Sequence, residues 1–580
     1  MVSPRNLRKT SFTFKKLLLF CFFATTVLLI VRTIENAKGS DEWILEGLFP
    51  YFLLFALSYS VIVILSPSVG FTAIITSLYL MVINLIPNLK YDFIYGTYDP
   101  LGHYGFISEI SRSGHIPLVG VYKDQYGSTP GVHIFSAILS QISGLSISIA
   151  MKLFLVVLPV TLPLLVYLLA RKIDVSIELG RMAIICTAFV SPTTYIFTGT
   201  TSTYFLYVPF IYLVTLFFVK REIDRQTFVL GMIAGFPVLF SHDATSFFLM
   251  IYFAIALVIL MFLKVTKGNL LPRLFVSFSV LWIVILSAHF LHASEFNFST
   301  LLNILISFAS RIISGQEPKA ISYYGTFFNL SFYEQIGILI VSLGRDALTV
   351  LLFALSLPLI IREGAPGREN SNMNRFYGFL SLSSLLPILM FVLSPFVSNL
   401  KTRYLCYFLA FSPFFAGLSL SFVASKTRKR IRRTALVTMI FGLVCFSILQ
   451  TYPFQPLVPK IETAYGIRYT NDYREVNTDT QLAAIRFLVK YDDHLKIAAN
   501  GISKWQMYGL TNATFQGLIS NDDPTSPQFA STPIVLISLD ASKVGKQVVF
   551  YERYVLEPGF RSLTYSNGES FALLNETSKT

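Results

Sequence analysis

Three short polar stretches carry the side chains best suited to chemistry. "YDPLGHY" at 98–104 sets Asp99 four residues before His103, a spacing that puts both on one face of a helix. A carboxylate there can take a proton from a hydroxyl, and Asp-His at that spacing can share a divalent cation or orient an acceptor. Asp99-Pro100 is equally a helix-start signal, an N-cap followed by proline, and the two roles are compatible. "SHDATS" at 241–246 offers His242 and Asp243, either as site residues or as caps of a helix starting at Ala244. "SNLKTRYLCYF" at 398–408 offers Lys401 and Arg403, whose guanidinium suits a phosphate or else snorkels to the membrane surface.

What must position these residues is a membrane. The 580-residue chain is 54% hydrophobic and 13% charged, with a mean hydropathy of +0.62. Apolar runs of about 17–22 residues recur, each long enough to cross a hydrocarbon core of about 30 Å. They predict about 13 transmembrane helices, near 16–32, 48–66, 69–87, 150–170, 182–199, 202–219, 227–241, 244–263, 274–292, 346–361, 376–397, 404–424 and 434–452.

The net charge of +14 is a topology signal and excludes a nucleic-acid footprint. With "MVSPRNLRKTSFTFKK" cytoplasmic and the sides alternating, the inner loops hold about 23 basic and about 6 acidic residues, as the positive-inside rule requires. The N-terminus is then cytoplasmic and the C-terminus extracytoplasmic. The first apolar segment reads as a retained helix, with no small-residue cleavage site after Ile30. Acceptor patterns for N-glycosylation at Asn297, Asn329, Asn512 and Asn575 all fall on the outer side. Cys21, Cys186, Cys406 and Cys445 lie in predicted spans, so neither a disulfide framework nor a zinc site is indicated.

Residues 1–452 therefore form the membrane part, with long outer loops at 88–149 and 293–345. The first loop reads as two interfacial helices, 101–113 and 131–146, joined by "IPLVGVYKDQYGSTPG"; Glu109 and Arg112 make an (i, i+3) pair on a solvated face. Residues 453–580 read as a small extracytoplasmic α/β domain. "TQLAAIRFLVKY" has helical spacing, "HLKIAANG", "TPIVLISLD" and "KQVVFYERYVL" look like strands, and "LTYSNGESFALL" is a hairpin turning at Asn567-Gly568.

The first outer loop resembles that of the GT-C class of membrane glycosyltransferases, which take a sugar from a polyprenyl-phosphate carrier. "YDPLGHY" is similar to the D-P-x-x-H-Y variant of oligosaccharyltransferase-like members, and "STPGVH" at 128–133 to the proline motif that enters the next helix. The resemblance implies a GT-C-like helix bundle, inverting transfer, Asp99 and His103 as catalytic residues, and Arg403, with Lys401 beside it, on the carrier phosphate. It implies that loop 293–345 closes over the acceptor. Magnesium or manganese on Asp99, His242 and Asp243 fits such an enzyme, as does metal-free transfer. In place of the W-W-D-Y-G signature of oligosaccharyltransferases stands "WQMYG", with Trp505, Tyr508 and Gly509 in place but Met507 at the aspartate position.

The function expected is transfer of a sugar from a polyprenyl-phosphate-linked donor to a lipid, glycan or protein acceptor on the outer face. An oligosaccharyltransferase subunit is the near alternative. A lipid or glycan transporter or flippase is the alternative from another class; it would place ionisable residues near the midplane, whereas here they gather at one face.

Overall fold

Inside a bilayer every backbone amide must find its partner within its own segment, so apolar runs of this length fold as helices. The computed structural model of the chain describes residues 4–36, 48–66, 68–90, 99–116, 129–190, 199–220, 225–267, 273–292, 344–363, 372–393, 410–427 and 431–451, the isolated positions 127, 303, 306 and 310, and seven short strands between 460 and 574. The helices are α1 (Pro4–Asn36), α2 (Phe49–Leu65), α3 (Val69–Lys90), α4 (Asp99–Ser113), α5 (Gly131–Ser143), α6 (Ile147–Ile173), α7 (Ile177–Val190), α8 (Gly199–Val219), α9 (Arg225–Leu239), α10 (Asp243–Lys267), α11 (Arg273–His292), α12 (Gly344–Glu363), α13 (Asn372–Leu393), α14 (Ser412–Lys426) and α15 (Arg432–Thr451). The protein is mainly helical, and a helix lies on every predicted apolar segment. Among the described residues, five stretches are long and apolar enough to cross a membrane outright: Lys16–Glu35, Val69–Leu89, Ile147–Ile173, Phe275–His292 and Arg432–Leu449.

Apolar side chains occur on both the inside and the outside of this bundle. Tyr59, Tyr79, Phe210 and Trp282 are enclosed, while Phe20 and Val27 on α1, Val157 and Leu168 on α6, and Val284 and Leu291 on α11 face outward. Water would penalise such an exterior and lipid does not. This is a multi-pass membrane protein.

Because lipid supplies no hydrophobic drive between helices, close packing and buried hydrogen bonds hold them. A Cβ at Gly417 of α14 would come 2.7 Å from the Ala183 amide nitrogen of α7, so those two backbones are in direct contact. On α9, Gly231 and Gly235 leave room for Phe217 and Trp282. Between helices, Tyr212 donates to the Ala410 carbonyl at 2.7 Å and Tyr252 bonds Ser383 at 2.9 Å.

The two ends of the bundle differ chemically. At one, Arg181 caps α2 by donating to the Val63 and Ile64 carbonyls at 3.2 and 2.5 Å, Arg375 donates to the last carbonyl of α8 at Val219, and Arg432 pairs with Glu178. These are the ends that the basic loops join. The other end holds the histidines His103, His133, His242 and His289.

In the C-terminal region, β1 (Lys460–Thr463) pairs antiparallel with β2 (Gly466–Tyr469). A five-stranded mixed sheet has the order β4-β3-β5-β7-β6, built from β3 (Ile497–Ala499), β4 (Ile519–Ser520), β5 (Ile534–Ser538), β6 (Ser562–Ser566) and β7 (Ser570–Leu574). Strands expected in "HLKIAANG" and "TPIVLISLD" are β3 and β5. The expected hairpin is β6–β7, with Ser566 opposite Phe571 across the Asn567-Gly568 connection. "TQLAAIRFLVKY" and "KQVVFYERYVL" lie outside the described residues.

Candidate functional site

The site is assembled from the N-terminal turns of α4 and α5, the turn between α9 and α10, and the last turns of α11. α4 begins at Asp99-Pro100, where the sequence signal places it. Four residues on, His103 is buried, and its Nδ1 lies 2.7 Å from Nε2 of His133 on α5, with one ring donating and the other accepting. Phe106 packs in a T-shaped arrangement against His133 at 4.7 Å between ring centres. Further along the same two helices, Gln141 donates to the Ser111 carbonyl at 2.8 Å. Both contacts join residues thirty apart, and they lie eight residues apart along each helix. α4 and α5 therefore run parallel in fixed register over about 12 Å, and a small core of Phe106, Ile107, Ile110, Val132, Ala137, Met151, Phe154 and Leu155 seats them on α6.

α5 is amphipathic in an inverted sense. Val132, His133, Ser136, Ala137 and Ser140 face the protein. Phe135, Ile138 and Ile142 face outward at 53%, 47% and 82% exposure. The buried serines are satisfied locally, Ser136 on the Val132 carbonyl at 2.9 Å and Ser140 on the Leu145 carbonyl at 2.7 Å. Such a helix is stable where its outer face meets acyl chains, which is the interfacial placement expected for 131–146.

The N-terminus of α5 docks on the α9–α10 turn. The amide of Gly131 donates to the Phe240 carbonyl at 2.7 Å. Beyond that turn the two candidates there take different roles. His242 caps α10: its Nδ1 accepts from the Thr245 amide at 3.3 Å. Asp243 is buried in the first turn, with Oδ1 3.5 Å from Nε2 of His289 on α11, and the His289 ring stands edge-on to Phe240 at 5.8 Å. Backbone and side-chain contacts thus run from His103 through His133, Gly131 and Phe240 to the Asp243–His289 pair.

His103 and Asp243 therefore fall at one end of the bundle, as the sequence places them, and Glu109 pairs with Arg112 at 2.9 Å on an exposed face. His133 and His289 are their respective partners, without having been singled out as site residues. The signal available for His289 was an ionisable residue near the end of an apolar run, on the side of the "SHD" turn. The side chain of Asp99, and Lys401, Arg403, Asn297, Asn329, Asn512, Asn575 and Met507, lie outside the described residues, as does nearly all of 293–345. Among the described residues no three His, Cys, Asp or Glu side chains converge as a metal site. Of the Asp99, His242 and Asp243 set, His242 Nδ1 accepts from the Thr245 amide and Asp243 faces His289.

No protein-family model matches the chain, and no curated protein sequence does. Two crystal structures of ArnT from Cupriavidus metallidurans, one bound to undecaprenyl phosphate and one in the apo state, are similar to it at 10% identity. Both alignments cover 88% of this chain and 98% of the other, with TM-scores of 0.46 and 0.49 respectively.

Proposed function

We propose that this chain is a GT-C-type membrane glycosyltransferase that moves a sugar from a polyprenyl-phosphate-linked donor to a lipid, glycan or protein acceptor on the outer face. The observation that carries the reading is the burial of two ionisable pairs, the hydrogen-bonded His103–His133 and the Asp243–His289 approach at 3.5 Å, beside a helix whose other face is apolar and exposed. Acid–base groups at the membrane edge are what a substrate with a lipid tail and a polar head requires. In this reading the chain has thirteen spans, a cytoplasmic N-terminus at the basic end, and residues 453–580 as an extracytoplasmic α/β domain.

The chemistry is a single displacement. Asp99 takes the proton of the acceptor hydroxyl while that oxygen bonds to the anomeric carbon. The bond from that carbon to the phosphate oxygen breaks, and polyprenyl phosphate leaves with the electron pair. Attack opposite the leaving group inverts the anomeric centre. The added charge on the phosphate is met by Arg403, whose planar fork suits it, with Lys401 beside it. His103, one turn from Asp99, orients the acceptor.

The test is mass spectrometry of lipid-linked glycans and cell-surface glycoconjugates from cells with and without the protein. Loss of one sugar from a defined product, with build-up of its polyprenyl-phosphate donor, is expected. Identical product and donor pools would overturn the proposal.

A further inference from the structure

Two imidazoles facing each other nitrogen to nitrogen share one proton on the line between them. At 2.7 Å the Nδ1 of His103 and the Nε2 of His133 hold a single hydrogen, so the state of one fixes that of the other. With the proton on Nδ1 of a neutral His103, its Nε2 is a base; with the proton on His133, the His103 Nε2 carries hydrogen and donates. Both rings are 2% exposed, and Phe106, packed T-shaped on His133, limits its swing. Packing alone does not call for this pair, since an apolar ring would fill the space without the cost of burying imidazole nitrogens.

We infer that His133 is a positioning residue for the transfer reaction, an inference that rests on the glycosyltransferase reading. It fixes the rotamer and tautomer of His103 one turn from Asp99. Through Gly131, two residues before it, it ties that geometry to the turn carrying Asp243. His133 bonds a group of the acid–base machinery and itself handles no substrate. Its loss should therefore slow turnover and leave donor recognition alone.

The experiment uses the full chain in lipid nanodiscs, with a total membrane extract of source-organism cells lacking the protein supplying the donor and the lipid, glycan and protein acceptors, and product scored by mass spectrometry. His133→Phe keeps an aromatic ring and removes the bond. His133→Gln places an amide near the Nε2 position and restores it. His133→Asn is polar but too short to reach, and stands in for the phenylalanine variant should that one fail to fold. Breaking the bond should lower kcat by about 10²-fold, the scale of a 1 Å misplacement, with the donor KM and thermal midpoint near wild type. Glutamine should recover most of that loss. Wild-type kcat in the phenylalanine or asparagine variant would overturn the positioning role. So would equal impairment of all folded variants, or a loss confined to KM. A wild-type protein that transfers nothing from the extract overturns the glycosyltransferase reading itself, an outcome distinct from an active wild type indifferent to His133.

Discussion

Gly131 and Phe240 meet backbone to backbone: the glycine amide donates to the phenylalanine carbonyl at 2.7 Å, and a Cβ on residue 131 would lie 2.8 Å from that same oxygen. A backbone atom cannot swing aside as a flexible side chain can. Gly131→Ala should therefore push α5 off the α9–α10 turn, at a cost of about 1–3 kcal/mol typical of overpacking. A lower thermal midpoint together with slower transfer is expected. Gly442→Ala, whose Cβ would meet nothing within 4 Å, should leave both unchanged.

Asp99→Asn retains size and helix-starting ability while removing charge and basicity. The variant should insert and melt like wild type yet lose about 10²–10⁴-fold in turnover, the range of general acid–base catalysis. The comparison is between purified proteins of matched thermal stability. Near-normal turnover would make Asp99 a helix-start residue and move the carboxylate role to Asp243 or Asp124.

The Asp243–His289 pair predicts a measurable coupling. Replacing either residue alone leaves a buried polar partner behind, at about 1–3 kcal/mol, so Asp243→Asn and His289→Gln should each destabilise. In a double-mutant cycle read by denaturation in nanodiscs, the coupling should fall within about 0.5–3 kcal/mol. Strict additivity would mean that the 3.5 Å approach carries no interaction energy.

Orientation is tested by reporters. One fused after Arg433 should read cytoplasmic and one after Tyr452 outside, since the two points stand at opposite ends of α15. The same side for both would leave the cluster of His103, His133, Asp243 and His289 without an assigned face of the membrane.

Much of this architecture is legible in one dimension because lipid imposes one rule on each segment separately. Apolar length finds the helices, Asp99-Pro100 finds the start of α4, and Asn567-Gly568 finds the β6–β7 turn. Those are local signals. His133 and His289 escaped because what makes them functional candidates is a partner on another helix, thirty residues away for His103 and across the α10–α11 hairpin for Asp243. The parallel register of α4 and α5 is equally non-local. It arises from the Gln141–Ser111 bond and the Phe106 core, neither of which any spacing within a single segment encodes.

The inverted helix α5 has its own consequence. One rigid rod carries His133 on its inner face and Phe135, Ile138 and Ile142 on its outer face, so the surrounding acyl chains act as a mechanical neighbour of the acid–base cluster. Sideways pressure, thickness or chain order in the leaflet bears on the tilt of that rod, and tilt displaces the imidazole. On the proposed reading, the leaflet is then as much a wall of the site as any helix. A detergent collar, which cannot transmit lateral pressure, should loosen the site while leaving the fold intact.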